Sequence, residues 1–121
     1  MFINALAVGA GGFIGAALRY LISVSIPYRG GFPWATFGIN MLGTFLLAFF
    51  AQVLVVRWGL GETASLALRV GLCGGFTTFS TFSLETLTLV ENGQWGTAVI
   101  YVTVSIIFGL VAAIAGSYIG Q

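Results

Sequence analysis

The sequence predicts an all-α integral membrane protein with four transmembrane helices, the third broken near its middle, assembled as an antiparallel, dual-topology homodimer. Three observations carry this reading. Of the 121 residues, 59% are hydrophobic and only 6% are charged, with a mean hydropathy of +1.08. A soluble domain carries about a quarter charged residues, so this chain cannot clothe a water-facing surface. Four apolar stretches, at about 3–25, 34–57, 65–90 and 96–119, each reach the roughly 20 residues that a membrane helix needs. The four arginines divide two and two between the sides: Arg57 and Arg69 with the N-terminus, Arg29 and Arg19 toward the other face. Charge bias then has little with which to set orientation. Either helix hydrophobicity selects one orientation, or copies insert both ways and pair antiparallel. Four short spans enclose little volume alone, which favours the pair.

The remaining composition narrows the chemistry. The chain has no histidine, lysine or aspartate, and its only acids are Glu62, Glu85 and Glu91. No nucleophile–base set or metal-ligand cluster can be assembled from this inventory, so an enzyme is the least favoured class. Cys73 is alone and forms no intrachain disulfide. No basic stretch marks a nucleic-acid partner; the surrounding partner is membrane lipid. The N-terminus lacks a basic n-region and an Ala-x-Ala-like site, so it reads as a first span of a single domain, residues 1–121.

The first span places Gly11, Gly15 and Arg19 at i, i+4 and i+8, on one helix face. Small residues at that spacing let helix backbones approach closely. Arg19 near the end of the span either snorkels to the interface or attracts anions in a vestibule. The break that follows, Pro27 to Pro33, contains paired glycines. In the second span Thr36, Asn40 and Thr44 form a polar stripe with Gly43 beside it. Asn40 can glue two helices through its amide, or replace water around an anion. Trp58 to Thr63 separates the second span from the third, and Glu91-Asn92-Gly93 is the turn before the fourth.

The third span is the least lipid-like. Residues 71–83 hold five hydroxyls, adjacent Gly74 and Gly75, and three phenylalanines. Irregular or polar backbone at membrane depth survives only where protein or a water-filled path surrounds it. The glycine pair invites a helix break, exposing carbonyls that can coordinate a cation and amides that can bind an anion. Phe79 and Phe82 lie on adjoining positions of one face, and ring edges carry positive potential. They can pack, or contact a bare anion edge-on. Thr78, Thr81 and Glu85 run along a neighbouring face. The fourth span presents Tyr101 and Ser105 and then Gly109, Ala112, Ala113, Gly116 and Gly120, a mostly small face suited to close packing.

Gly-Gly-Phe-Ile-Gly-Ala-Ala-Leu-Arg-Tyr (11–20), Asn40 followed by Gly43, and Gly-Gly-Phe-Thr-Thr-Phe-Ser-Thr-Phe-Ser (74–83) together resemble the Fluc/CrcB family of small fluoride ion channels. The resemblance covers essentially the whole chain. It implies an antiparallel homodimer with two fluoride pores in the cell's inner (plasma) membrane, lowering cytoplasmic fluoride by passive export. It also implies a structural sodium ion at the dimer interface, held by the main-chain carbonyls of Gly74 and Thr77. By the same resemblance the pore residues are Asn40, Phe79, Phe82, Ser80, Thr81, Tyr101 and Ser105, with Arg19 and Glu85 in vestibule or gating positions. Gly109 and Ala113 stand where such channels often carry Ser and Thr, a departure from the family's polar track. The competing reading is a small proton-coupled, dual-topology exporter of drugs or cations. Its required mid-membrane carboxylate has Glu85 as sole candidate. A non-conducting scaffold gives no reason for the glycine pair, Asn40 and paired phenylalanines to coincide.

Overall fold

A computed structural model describes residues 1–121 and is entirely helical, with no strand. Helix α1 spans Phe2–Ser25, α2 Trp34–Val56 and α6 Trp95–Gly120, each long and apolar enough to cross a membrane. The remaining segment is assembled from pieces: α3 (Glu62–Leu66), a π-helical stretch (Ala67–Cys73), a single turn α4 (Gly74–Phe76), and α5 (Phe79–Glu91). Between α4 and α5, Thr77 (φ −79°, ψ 159°) and Thr78 (φ −150°, ψ 120°) are extended. Gly74 itself is helical at φ −64°, ψ −37°. The extended residues are therefore the two threonines and not the glycine pair.

Sequence explains both halves of that arrangement. Glycines bring α1 against the π stretch and α4. A Cβ on Gly15 would run into the Leu72 carbonyl oxygen and lie 2.8 Å from the Phe76 nitrogen, and one on Gly75 would lie 2.7 Å from the Gly12 carbonyl oxygen. Both obstacles are backbone, so no rotamer change relieves them, and the stripe Gly11–Gly15 is a true contact surface. Thr78 then restarts the helix: its hydroxyl oxygen accepts from the Thr81 N–H at 3.1 Å, the side-chain cap that hydroxyl residues supply at a helix start. At the other end of α5, Gly93 takes φ +77°, and the Gln94 and Gly93 amides bond back to the Leu89 and Val90 carbonyls. This is the Schellman ending that lets α6 turn back at once.

Helix α6 packs along α2, where Gly116 lies directly on the Phe45 carbonyl. A small core of Leu89, Ala98 and Tyr101, flanked by Phe32, Phe37, Phe82 and Val90, ties α5 to α6. Only 16 of 121 residues are buried. Large apolar side chains such as Phe13, Ile114 and Val56 face outward, so most hydrophobic surface in this fold meets lipid or another chain.

Candidate functional site

The two extended threonines reroute the backbone hydrogen bonds around them. In an unbroken helix the Thr78 N–H would bond the Gly74 carbonyl and the Thr81 N–H would bond the Thr77 carbonyl. Here Thr78 N–H donates instead to Asn40 Oδ1 at 2.8 Å, and Thr81 N–H donates to the Thr78 hydroxyl. The Gly74 and Thr77 carbonyls are thereby released from helical pairing. Asn40 Nδ2 donates to the Thr78 carbonyl at 3.0 Å. One amide side chain thus clamps both polar groups of Thr78, and Asn40 retains one further N–H. The neighbouring Gly75 carbonyl accepts from Arg19 Nε at 3.2 Å. Arg19 is half-buried, and this bond turns its side chain inward onto the end of α4.

Two cavities flank α5. One of about 290 Å³ is lined by Asn40, Thr44, Thr77, Thr78, Phe79, Phe82, Ser105 and Gly109. The sequence-predicted Asn40, Phe79, Phe82 and Ser105 therefore meet in one space. Gly109 contributes wall without a donor, so the polar lining from α6 ends at Ser105. The phenylalanine rings sit 5.9 Å apart at 43°, with Phe79 79% exposed. The second cavity, of about 480 Å³, is lined among others by Ser23, Arg29, Thr36, Thr81 and Glu85. Ser80 faces outward on α5, 3.5 Å from the Thr78 hydroxyl.

Tyr101 joins Glu85, which lines the second cavity, to Phe82, which lines the first. Tyr101 is fully buried, its ring 4.9 Å from that of Phe82, and its hydroxyl donates to Glu85 Oε1 at 2.8 Å. The Thr36 hydroxyl donates to the other oxygen, Oε2, at 2.9 Å. The carboxylate is held from both sides by neutral donors, and no arginine pairs with it. The Tyr101 proton is committed to Glu85, so this residue fixes the carboxylate and offers no free donor. Thr36 was not singled out as a site residue from sequence. Its signal was the Thr36–Asn40–Thr44 stripe, but spacing within α2 says nothing about which acid on α5 it meets. Thr78 is read from the sequence only as part of a face with Thr81 and Glu85, although a hydroxyl residue just before a helical run is also a cap signal.

The arrangement can therefore carry a small anion past modest donors: spare amide and hydroxyl hydrogens and ring edges, with no charged side chain lining the cavity that holds Phe79 and Phe82. A metal, if any, would be held by main-chain carbonyls, since no group of acids, histidines or cysteines is placed to ligate one.

The chain is similar to several named proteins. The chain is 45% identical over 113 residues to the fluoride-specific ion channel FluC of Nitrobacter winogradskyi, covering 92% of this chain and 90% of that protein. To the fluoride-specific ion channel FluC of Chlorobaculum tepidum it is 43% identical over 119 residues, 98% of this chain and 94% of the other. Fluoride-specific ion channel FluC 1 of Mycobacterium tuberculosis is 45% identical over 107 residues, 88% of this chain and 81% of that one. The family model described as CrcB-like protein, Camphor Resistance (CrcB), matches residues 6–117, a range that takes in the α1 glycines, Asn40, the threonine break and both phenylalanines. With all of these elements inside the matched range, the chain belongs to the CrcB family.

Proposed function

We propose that this protein is a fluoride-selective channel of the bacterial plasma membrane, exporting fluoride passively. The observation that carries the reading is the convergence of Asn40, Phe79, Phe82 and Ser105 on one cavity beside a capped helix restart, in a chain similar to channels named for fluoride. Fluoride is small and tightly hydrated, so its path must replace water with several donors in sequence, each weak enough to let the ion leave. Asn40 offers its spare N–H, Ser105, Ser80 and Thr81 offer hydroxyls, and Phe79 and Phe82 offer ring edges. Arg29 at the mouth of the larger cavity attracts anions, and Glu85, fixed by Thr36 and Tyr101, lines the same cavity. No comparison favours a proton-coupled exporter.

Purified protein in liposomes tests this directly: fluoride efflux should exceed chloride efflux by orders of magnitude, and comparable rates for the two ions would reject the reading. Phe79→Ile should cut fluoride efflux at least about tenfold, because the aliphatic group has no positive edge to offer. Phe79 is mostly exposed in the single chain, so the variant should keep wild-type thermal stability; unchanged efflux would remove the ring from the pathway.

The working unit proposed is an antiparallel homodimer with two pores. Its support is the even division of arginines and the small buried fraction of the single chain. A cysteine placed at Arg57 in a Cys73→Ala background should react with impermeant reagents from both faces of the membrane; one-sided labelling would refute dual topology. A structural sodium ion at the interface is proposed with the dimer. The donor set fits: the Gly74 and Thr77 carbonyls are stripped of helical partners, and unwound carbonyls are the ligands sodium takes in membrane proteins. When bound, the ion supplies positive charge that holds such carbonyls together, while Asn40 and the Thr78 cap keep them available.

A further inference from the structure

Thr44 lies on α2 one turn beyond Asn40, about 6 Å along the axis. Gly43 beside it brings α2 against the helix break: a Cβ there would run into the Thr77 methyl and lie 3.1 Å from the Phe76 ring. Hydroxyls within apolar helices commonly bond the carbonyl four residues back. Ser23, Ser25, Ser83, Thr86 and Thr88 all do so here. Thr44 and Ser105 do not, and both are half-buried on the wall of the 290 Å³ cavity that holds Phe79 and Phe82. The other two hydroxyls on that wall are occupied. Thr77 donates to the Cys73 carbonyl at 3.0 Å, and Thr78 caps α5.

Helices α2 and α6 run in the same direction, and their inward positions repeat together every four residues. Thr36 and Tyr101 both bond Glu85. Asn40 and Ser105 share the cavity, and Thr44 and Gly109 follow them on its wall. At this third level α6 offers no donor and α2 offers one. We infer that the Thr44 hydroxyl is a further ion-coordinating group, donating to fluoride one turn beyond Asn40 and Ser105, a role that rests on the protein being a fluoride channel. A tightly hydrated anion sheds water along such a path, and each lost partner is costly unless the wall replaces it. A hydroxyl supplies one hydrogen without a fixed charge, so it holds the ion weakly enough to let it leave.

Thr44→Val tests this, because valine keeps the branched shape and removes the hydroxyl. Fluoride efflux from liposomes should fall about fivefold, with the thermal midpoint in detergent unchanged. Thr44→Ser should recover most of the wild-type rate. Adding Gly109→Ser to Thr44→Val should recover it too. A Cβ at Gly109 meets only the Met41 methyl, 3.7 Å away, and the new hydroxyl enters the same cavity. Thr44→Val efflux equal to that of the wild type, or an equal loss in Thr44→Ser, overturns the proposal. So does a double variant no faster than Thr44→Val, which would assign the loss to packing. If Thr44→Val does not fold by circular dichroism, Thr44→Ala takes its place with the same expectations. A second measurement needs no conduction. Replacing millimolar chloride by fluoride should raise the thermal midpoint of the wild type, and Thr44→Val should lose about half of that rise or more. Equal rises in the two proteins overturn the proposal. A wild type without fluoride efflux, whose midpoint still rises in a way that depends on Thr44, would reject the channel reading and keep Thr44 as an anion ligand.

Discussion

Asn40→Ala is expected to reduce fluoride efflux at least about tenfold and to destabilise the fold at the same time. Alanine removes both hydrogen bonds that clamp Thr78, to its N–H at 2.8 Å and its carbonyl at 3.0 Å. Each polar group left unpaired out of water costs about 1–3 kcal/mol. The chain has a cheaper alternative: the Thr78 N–H returns to the Gly74 carbonyl, as in a continuous helix. That relaxation draws the Gly74 carbonyl back into helical pairing, moves the start of α5 and rotates Phe79 and Phe82 out of register with Ser105. Asn40→Asp is the informative companion. It keeps an acceptor for the Thr78 N–H but loses the donor to the carbonyl and places a like charge on an anion path. It should therefore retain more stability than alanine while conducting no better. Liposome efflux and thermal denaturation in detergent read the two effects separately. Efflux of Asn40→Ala within twofold of the wild type would show that the clamp is not needed for conduction.

Gly15→Ala should be, with Gly11→Ala and Gly116→Ala, among the most destabilising single methyl additions to this protein. The new Cβ would overlap the Leu72 carbonyl and crowd the Phe76 nitrogen, backbone on both counts. Overpacking of this kind costs about 1–3 kcal/mol, and here the neighbours cannot yield by changing rotamer. Separation of α1 from α4 also strains the bond from Arg19 to the Gly75 carbonyl. Gly9→Ala, on the same helix with nothing within 4 Å of its would-be Cβ, is the matched control. It should be neutral or slightly stabilising, since alanine is the better helix former. The measurement is the thermal midpoint of each variant in detergent. Equal midpoints for the two variants would mean that α1 does not pack as closely as these contacts require.

Several residues behaved as the sequence led one to expect. The hydropathy pattern places α1, α2 and α6 within one residue of their observed ends, because a stretch of about 20 apolar residues has few alternatives to a helix in lipid. The pore candidates Asn40, Phe79, Phe82 and Ser105 do gather in one cavity. Their helical spacing said which residues share a face, and the face then met a neighbour. Other features were not legible. The glycine pair 74–75 looked like the point of interruption, yet both are helical, and Gly75 packs closely against Gly12. A glycine permits both roles, and only the approach of α1 decides between them. Arg19 pointed equally to a snorkelling or a vestibule role; its bond to Gly75 depends on how α1 lies against α4.

What the sequence alone determined is the solvent and the repertoire. Low charge and high hydropathy require a membrane, four apolar stretches require helices, and the lack of lysine, histidine and aspartate limits the pathway to neutral donors and a few arginines. These follow from composition and from periodicity along one chain. Tertiary structure decided the pairings between segments distant in sequence: Asn40 with Thr78, Thr36 and Tyr101 with Glu85, Arg19 with Gly75. Each such bond depends on the relative rotation and depth of two helices. Periodicity names the face a residue occupies, but it carries no information on which partner face will lie against it.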